Sequence, residues 1–230
     1  MTNVRKSPKV AVLLAGCGHL DGAEVRESVL ALLALDQYGA TAQCIAPNAP
    51  QVHVINHVTG EPVASATRNI LEESSRIARL GKCLDLAQAK VADYDALVMP
   101  GGYGVAKNHC SFAFKGADAE VRPDVAAFVK GFFDAKKPVG AICIAPALAA
   151  LALHQTHDIA TLTLGNDAGC AAALGQLGQV NQNTHDATEI VIDEVHKLIT
   201  TPAYMFDDAR LGDVWVGIER CVAEVLKRVS

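Results

Sequence analysis

Cys143 is the residue in this sequence best placed for covalent chemistry. It lies in Gly140-Ala141-Ile142-Cys143-Ile144-Ala145-Pro146-Ala147, where a buried strand stops and a helix starts with almost no loop between them. A tight strand-to-helix turn holds its apex side chain outward over the carboxyl edge of a sheet, on strained backbone. Small neighbours such as Gly140, Ala141 and Ala145 suit that crowding. At a helix N-terminus the partial positive charge and the free amides favour the thiolate, which is the nucleophilic form. The amide of Ile144 then faces any oxyanion formed there. The local sequence leaves a second reading open, a core cysteine packed between strand and helix, because apolar-Cys-apolar is common in cores.

Two further loops are expected at the same edge. Pro100-Gly101-Gly102 follows an apolar strand, and glycines there let backbone amides approach a bound carbonyl. Asp21-Gly22-Ala23-Glu24-Val25-Arg26-Glu27 opens the first helix. Glu24 and Glu27 are three apart and share a face near its N-terminus. A carboxyl reaching a thiol in a half-buried pocket tends to keep its proton, since two adjacent anions are costly. It can then donate to the thiolate or carry a proton in catalysis. The alternative for both glutamates is ordinary complementation of the helix dipole.

The elements that must hold these residues alternate apolar, β-branched runs with longer helical stretches, the pattern of a mostly parallel sheet with helices on both faces. Strands are predicted at 9–14, 41–45, 96–99, 138–142 and 159–164, with a weaker one at 51–55 and a hairpin over 189–200. Helices are predicted at 24–38, closed by Gly39, and at 69–80, 122–135, 145–154 and 213–228. No repeat, low-complexity tract or linker interrupts residues 1–230, which read as one α/β domain.

Composition narrows the partners. Half of the 230 residues are hydrophobic and the formal net charge is −5, unlike the basic footprint that phosphate backbones attract. The cluster Arg5, Lys6 and Lys9 is too short to change this, so nucleic acid is not an expected partner. No run reaches the ~18 apolar residues of a membrane span, and the first residues lack the apolar stretch of an export signal. A cytoplasmic protein is therefore expected. Seven cysteines without a CxxC pair predict reduced thiols rather than a disulfide framework or a structural zinc site, and no metal ligand set is assigned.

Five segments together carry a family resemblance: Gly16-Cys17-Gly18 with Asp21-Gly22, Glu24 and Glu27; Ile55-Asn56-His57 with Thr59-Gly60-Glu61; Pro100-Gly101-Gly102 with Ala106-Lys107-Asn108; Cys143-Ile144-Ala145-Pro146-Ala147; and Thr201-Pro202-Ala203-Tyr204-Met205. In this order they resemble the PfpI-type, class I glutamine-amidotransferase-like superfamily, and within it the ElbB-type isoprenoid biosynthesis glyoxalases. The resemblance implies a flavodoxin-like sandwich, commonly a homodimer, with Cys143 as the nucleophile at the elbow and Glu27 as its acidic neighbour. It implies an oxyanion pocket lined by Gly101, Gly102 and the amide of Ile144. It also implies a cofactor-independent, glutathione-independent conversion of a small dicarbonyl, glyoxal to glycolate, with deglycation of modified amines and thiols as a related activity. The family is linked to early isoprenoid synthesis.

The sequence departs from its relatives in one respect. Glutaminases of this fold bring a histidine from the strand after the elbow, where this chain has Thr163-Leu164-Gly165-Asn166-Asp167; protease-like relatives have one directly after the cysteine, where this chain has Ile144. Glutamine hydrolysis in support of an ammonia-using partner is thereby disfavoured, as is peptidase activity. His57 is the candidate base, with a structural histidine as its other reading, and His109 beside Asn108 is a weaker one. Cys17 is either a second thiol near Cys143 or a packed residue, and Tyr204 and Met205 are expected to fill core space behind the last helix. The missing histidine also motivates a non-enzymatic reading, in which Cys143 is a redox sensor within a regulatory or interaction protein, and Glu27 donates to an oxidised sulfur.

Overall fold

The computed structural model describes residues 7–229, so the basic residues Arg5 and Lys6 fall outside it. Strand β1 (Lys9–Leu13) is apolar without alternation, and Val10, Ala11, Val12 and Leu13 are all buried, because a central parallel strand is covered on both faces. It leads into α1 (Val25–Gln37), β2 (Thr41–Ala46), α2 (Ile70–Ala78), β3 (Cys83–Asp85) and β4 (Ala96–Met99). The chain continues through α3 (Phe112–Lys115), α4 (Pro123–Asp134), β5 (Val139–Ile142) and α5 (Ala145–His154). It ends with β6 (Thr161–Leu162), α6 (Ala168–Gln176), β7 (Val180–Asn181), the pair β8 (Val191–Asp193) and β9 (Leu198–Thr201), and α7 (Leu211–Lys227).

The main sheet has seven strands in the order β3-β2-β1-β4-β5-β9-β8. Every pairing in it is parallel except β8 with β9, the predicted hairpin. One core, built with α4 and α5, covers the face carrying Ala11, Leu13, Leu97 and Met99. The other, built with α1 and α7, covers the face carrying Val10, Val12, Val98 and Ile142. The result is a mostly parallel sheet with helices on both faces, as the sequence pattern implied, and the flavodoxin-like sandwich that the family resemblance implied. Helix α5 is buried on all sides from Ala145 to Leu153, which explains its lack of a polar stripe. The strand order reverses between β1 and β4, and such a switch point opens a crevice at the carboxyl ends of the strands.

Two predicted strands differ. Residues 51–55 form no ladder, because their amides go to loops and side chains: Gln51 N–H donates to Arg68 O, Val52 N–H to Asn108 Oδ1 and Ile55 N–H to Asp21 Oδ2. The 159–164 strand shrinks to β6, which pairs with β7 in a separate two-stranded sheet. The side chains of Asp193 and Thr200 accept from the amides of Thr161 and Thr163, replacing the ladder of the main sheet. No helix among the described residues is long and apolar enough to cross a membrane.

Candidate active site

Four loops meet at the carboxyl ends of β1, β4, β5 and β9. The first is closed by Glu24, the N-cap of α1, whose Oε2 accepts the N–H of Glu27 at 2.6 Å. Glu24 thus satisfies an otherwise open helix amide, while Glu27, one turn in, points to the interior and is wholly buried. The two acids therefore do not act as a matched pair. One caps the helix and the other enters the pocket.

Glu27 is held by backbone from two other loops. Its Oε2 accepts the N–H of Gly101 at 2.9 Å and its Oε1 the N–H of Tyr204 at 3.3 Å. The carboxyl also lies beside Cys143, since a single atom placed at the Cβ position of residue 101 would touch both, 2.7 Å from Glu27 Oε2 and 2.5 Å from Cys143 Cβ. Cys143 itself has φ +60°, the left-handed conformation that costs a side-chain-bearing residue about 1–2 kcal/mol. Its N–H donates to Thr201 O at 2.9 Å. The amides of Gly102 and Ile144 favour the thiolate, whereas the amide of Gly101, expected beside them, is committed to Glu27.

The glycines of the loop after β4 are a steric requirement. A Cβ on Gly101 would stand 2.5 Å from the Cys143 Cβ and 2.7 Å from Glu27 Oε2, and one on Gly102, where φ is +95°, 2.4 Å from Glu24 N. Backbone bonds zip this loop to the one after β1: Glu24 N–H to Gly101 O at 2.9 Å, Tyr103 N–H to His19 O at 2.7 Å and Gly104 N–H to Gly22 O at 2.9 Å.

The electrostatics correct the expectation of an ionised, accessible thiolate. Only 8% of Cys143 is exposed. Burial, and then the charge of Glu27, push its thiol well above the ordinary range, against the pull of the Gly102 and Ile144 amides. Burial, and then the carboxylate of Glu24, push Glu27 up to about 8. Desolvation outweighs the helix terminus here. At neutral pH the carboxyl holds a proton beside a thiol that also holds one, and the first proton to leave belongs to the pair.

The remaining candidates stand elsewhere. The Nε2 of His57 accepts from Leu20 N–H at 3.3 Å and its Nδ1–H donates to Ile55 O at 3.1 Å, so both ring nitrogens hold loops. The structural reading of His57 therefore stands over the candidate base. Asn108 likewise stitches loops: its Nδ2 donates to Ala15 O and Asp21 O, each at 2.9 Å, and its Oδ1 accepts from Val52. His109 is fully buried, donates from Nε2 to Leu14 O, and is held down to about 4 by that burial. Cys17 is half-buried, and burial, then the charge of Glu73, push its thiol up against the pull of Arg76 and Arg68.

Met205 packs against both cores and Tyr204 against the one built with α1 and α7, as expected of space fillers, but Tyr204 does more than fill space. Besides its amide on Glu27, its hydroxyl accepts from Arg26 Nη1 at 3.0 Å. Its part in the site was missed because a backbone N–H leaves no trace in residue type. The one available signal was its place in the Thr201–Met205 segment.

The family pattern of the DJ-1/PfpI family matches residues 9–201. The human glutamine amidotransferase-like class 1 domain-containing protein 3, mitochondrial, is 40% identical over 97% of this chain and 84% of its own length. The zebrafish ES1 protein, mitochondrial, is 30% identical over 96% of this chain and 86% of its own length. The crystal structure of an isoprenoid biosynthesis protein with an amidotransferase-like domain from Ehrlichia chaffeensis has 38% identity and a TM-score of 0.89, covering 97% of this chain and all of that one. These relatives overturn the cytoplasmic expectation, since both curated proteins are mitochondrial. By extent of match and by these relatives, the chain belongs to the DJ-1/PfpI family.

Proposed function

We propose that this protein converts glyoxal to glycolate without a redox cofactor, through a covalent adduct on Cys143. The observation that carries this reading is the left-handed Cys143 at the start of α5, with the wholly buried carboxyl of Glu27 beside its sulfur. The sulfur adds to one aldehyde carbon while the thiol proton passes by way of the Glu27 carboxylate to the carbonyl oxygen, giving a hemithioacetal and leaving Glu27 ionised. The amides of Gly102 and Ile144 stabilise the oxyanion on the way.

Glu27 then removes the proton from the sulfur-bearing carbon, and the other carbon is reprotonated, so an enediol collapses to a hydroxyacetyl thioester. Water cleaves the thioester to glycolate and the free thiol. One carbon is oxidised and its neighbour reduced, so the electrons balance within the substrate. A cysteine only 8% exposed favours a two-carbon substrate over a bulky one, and the linked isoprenoid role and deglycation rest on the family resemblance.

The test is glycolate formation by purified protein with no glutathione or nicotinamide added. Wild-type turnover that disappears in Cys143→Ala supports the proposal; undiminished turnover in that variant ends it. The redox-sensor reading predicts instead a peroxide-dependent mass gain at Cys143 with no turnover.

A further inference from the structure

The turn after β9 touches both members of the reactive pair. Thr201 O accepts the N–H of Cys143 at 2.9 Å, and three residues later Tyr204 N–H donates to Glu27 Oε1 at 3.3 Å. Between them Ala203, fully buried, is held at φ +43°. A non-glycine residue keeps such a conformation only where its surroundings over-determine it. Thr201 Oγ1 donates to Glu189 O at 2.9 Å and anchors the start of the turn.

Its far end is anchored from outside. Arg26, next to Glu27 in sequence, donates from Nη1 to the Tyr204 hydroxyl at 3.0 Å, with its guanidinium 5.7 Å from the centre of the Tyr204 ring. Helix α1 and this turn are therefore joined twice, through Glu27 inside the pocket and through Arg26 at its rim.

The geometry points to Tyr204 as a positioning residue: the Arg26–Tyr204 bridge fixes the turn whose amide aims the Glu27 carboxyl at Cys143. This assignment rests on the reading of Cys143 and Glu27 as the reactive pair. It adds a side chain that touches neither sulfur nor substrate. With one oxygen on Gly101 and the other on Tyr204, the carboxyl cannot rotate freely. Without the second amide, it can turn away from the sulfur.

The experiment reads the thiol directly, so it does not depend on glyoxal being the substrate. Alkylation of Cys143 by iodoacetamide at pH 9, where Glu27 is ionised and opposes the thiolate, is followed by mass spectrometry of the peptide that carries Cys143, which separates it from the six other free cysteines. Glu27→Gln removes that opposition and is expected to speed alkylation. Tyr204→Phe lets the carboxyl drift and is expected to speed it by about fivefold, the worth of one ordinary hydrogen bond. In the Glu27→Gln background the same Tyr204→Phe change is expected to alter the rate by less than about twofold, since coupled residues do not add. Arg26→Leu should behave as Tyr204→Phe does, and Arg26→Lys, which still donates, should recover most of the wild-type rate.

Glycolate turnover, where wild type shows it, should fall in Tyr204→Phe through kcat with KM little changed. An unchanged alkylation rate in Tyr204→Phe, or equal acceleration with and without Glu27, overturns the assignment. Equal acceleration is the signature of general loosening. A wild type that makes no glycolate while the alkylation pattern holds counts against the proposed reaction and leaves the positioning role standing.

Discussion

The N–H of Gly101 donates to the Oε2 of Glu27 at 2.9 Å, so the loop after β4 grips the acid supplied by α1. That closeness leaves no room for a side chain on residue 101. The loop thereby carries out two tasks: Gly101 orients the carboxyl and the amide of Gly102 favours the thiolate.

Gly101→Ala is expected to destabilise the fold by about 1–3 kcal/mol, the usual cost of overpacking, and to reduce turnover beyond what lost folded protein explains. The new methyl would meet Cys143 Cβ at 2.5 Å, Glu27 Oε2 at 2.7 Å and Ile142 O at 2.8 Å, and two of these three belong to the reacting pair. Gly39→Ala is the control. Its φ is also positive, at +70°, but a Cβ there has nothing within 4 Å, so it should cost only the conformational ~1 kcal/mol and leave turnover per folded molecule unchanged. Urea denaturation beside glycolate assays separates the two effects.

Glu27→Gln is expected to lower kcat by about 10²–10⁴, the range for a general acid–base group. Its effect on stability has the opposite sign at high pH. Glu27 titrates at about 8 in the folded state against an ordinary 4.5, so folding favours its protonated form. The stability this gives is complete below the unfolded value and is lost as pH rises through about 8. Glutamine has no such loss. Unfolding midpoints at pH 5 and pH 8.5 should show the variant gaining on wild type at the higher pH; a constant gap would mean the carboxyl is not strained by burial.

How far the sequence went differs by residue. Cys143 was legible because its signal is local: strand, turn and helix adjoin within Gly140–Ala147. Glu27 and the glycine loop were legible as members of the family segments. The state of the thiol was not, since a helix N-terminus is visible in sequence and the depth of the pocket above it is not. His57 and Asn108 were singled out by residue type, but type does not show that their polar atoms serve the backbone of distant loops. Tyr204 contributes an amide that any non-proline residue would have, and β6 lost its place in the main sheet to the side chains of Asp193 and Thr200.

The rate of glycolate formation should rise with pH through about 8. The productive state of the pair holds a single proton, shared between a carboxylate able to accept it and a thiol able to give it up. Below the Glu27 midpoint of about 8 both groups are protonated and no base is present; well above it both lose their protons and the acid is gone. A bell-shaped profile of kcat/KM follows, with its acid limb near 8 and its macroscopic midpoints belonging to the pair. Glu27→Gln should remove the acid limb from whatever activity remains. An acid limb in wild type near 6.5, the range of an ordinary histidine, would assign the base to another residue.

His109 predicts a second pH dependence, away from the chemistry. Its ring is fully buried, its Nδ1 has no partner among the described residues, and its proton affinity is held down to about 4 from 6.5 by desolvation. Folding therefore favours the neutral ring. The stability from this group is fully present above the unfolded value of 6.5 and is lost as pH falls through about 4, a total of roughly 3 kcal/mol. His109→Gln keeps a donor for Leu14 O, which now accepts from Nε2 at 3.1 Å, and cannot take up a proton. Packing sets the offset between the two proteins at pH 7, whereas the titration sets how that offset changes with pH. Wild type should accordingly lose stability faster than His109→Gln between pH 6.5 and pH 4, measured by urea midpoints at each pH. Parallel curves over that interval would show that the buried ring is not what makes the fold acid-sensitive.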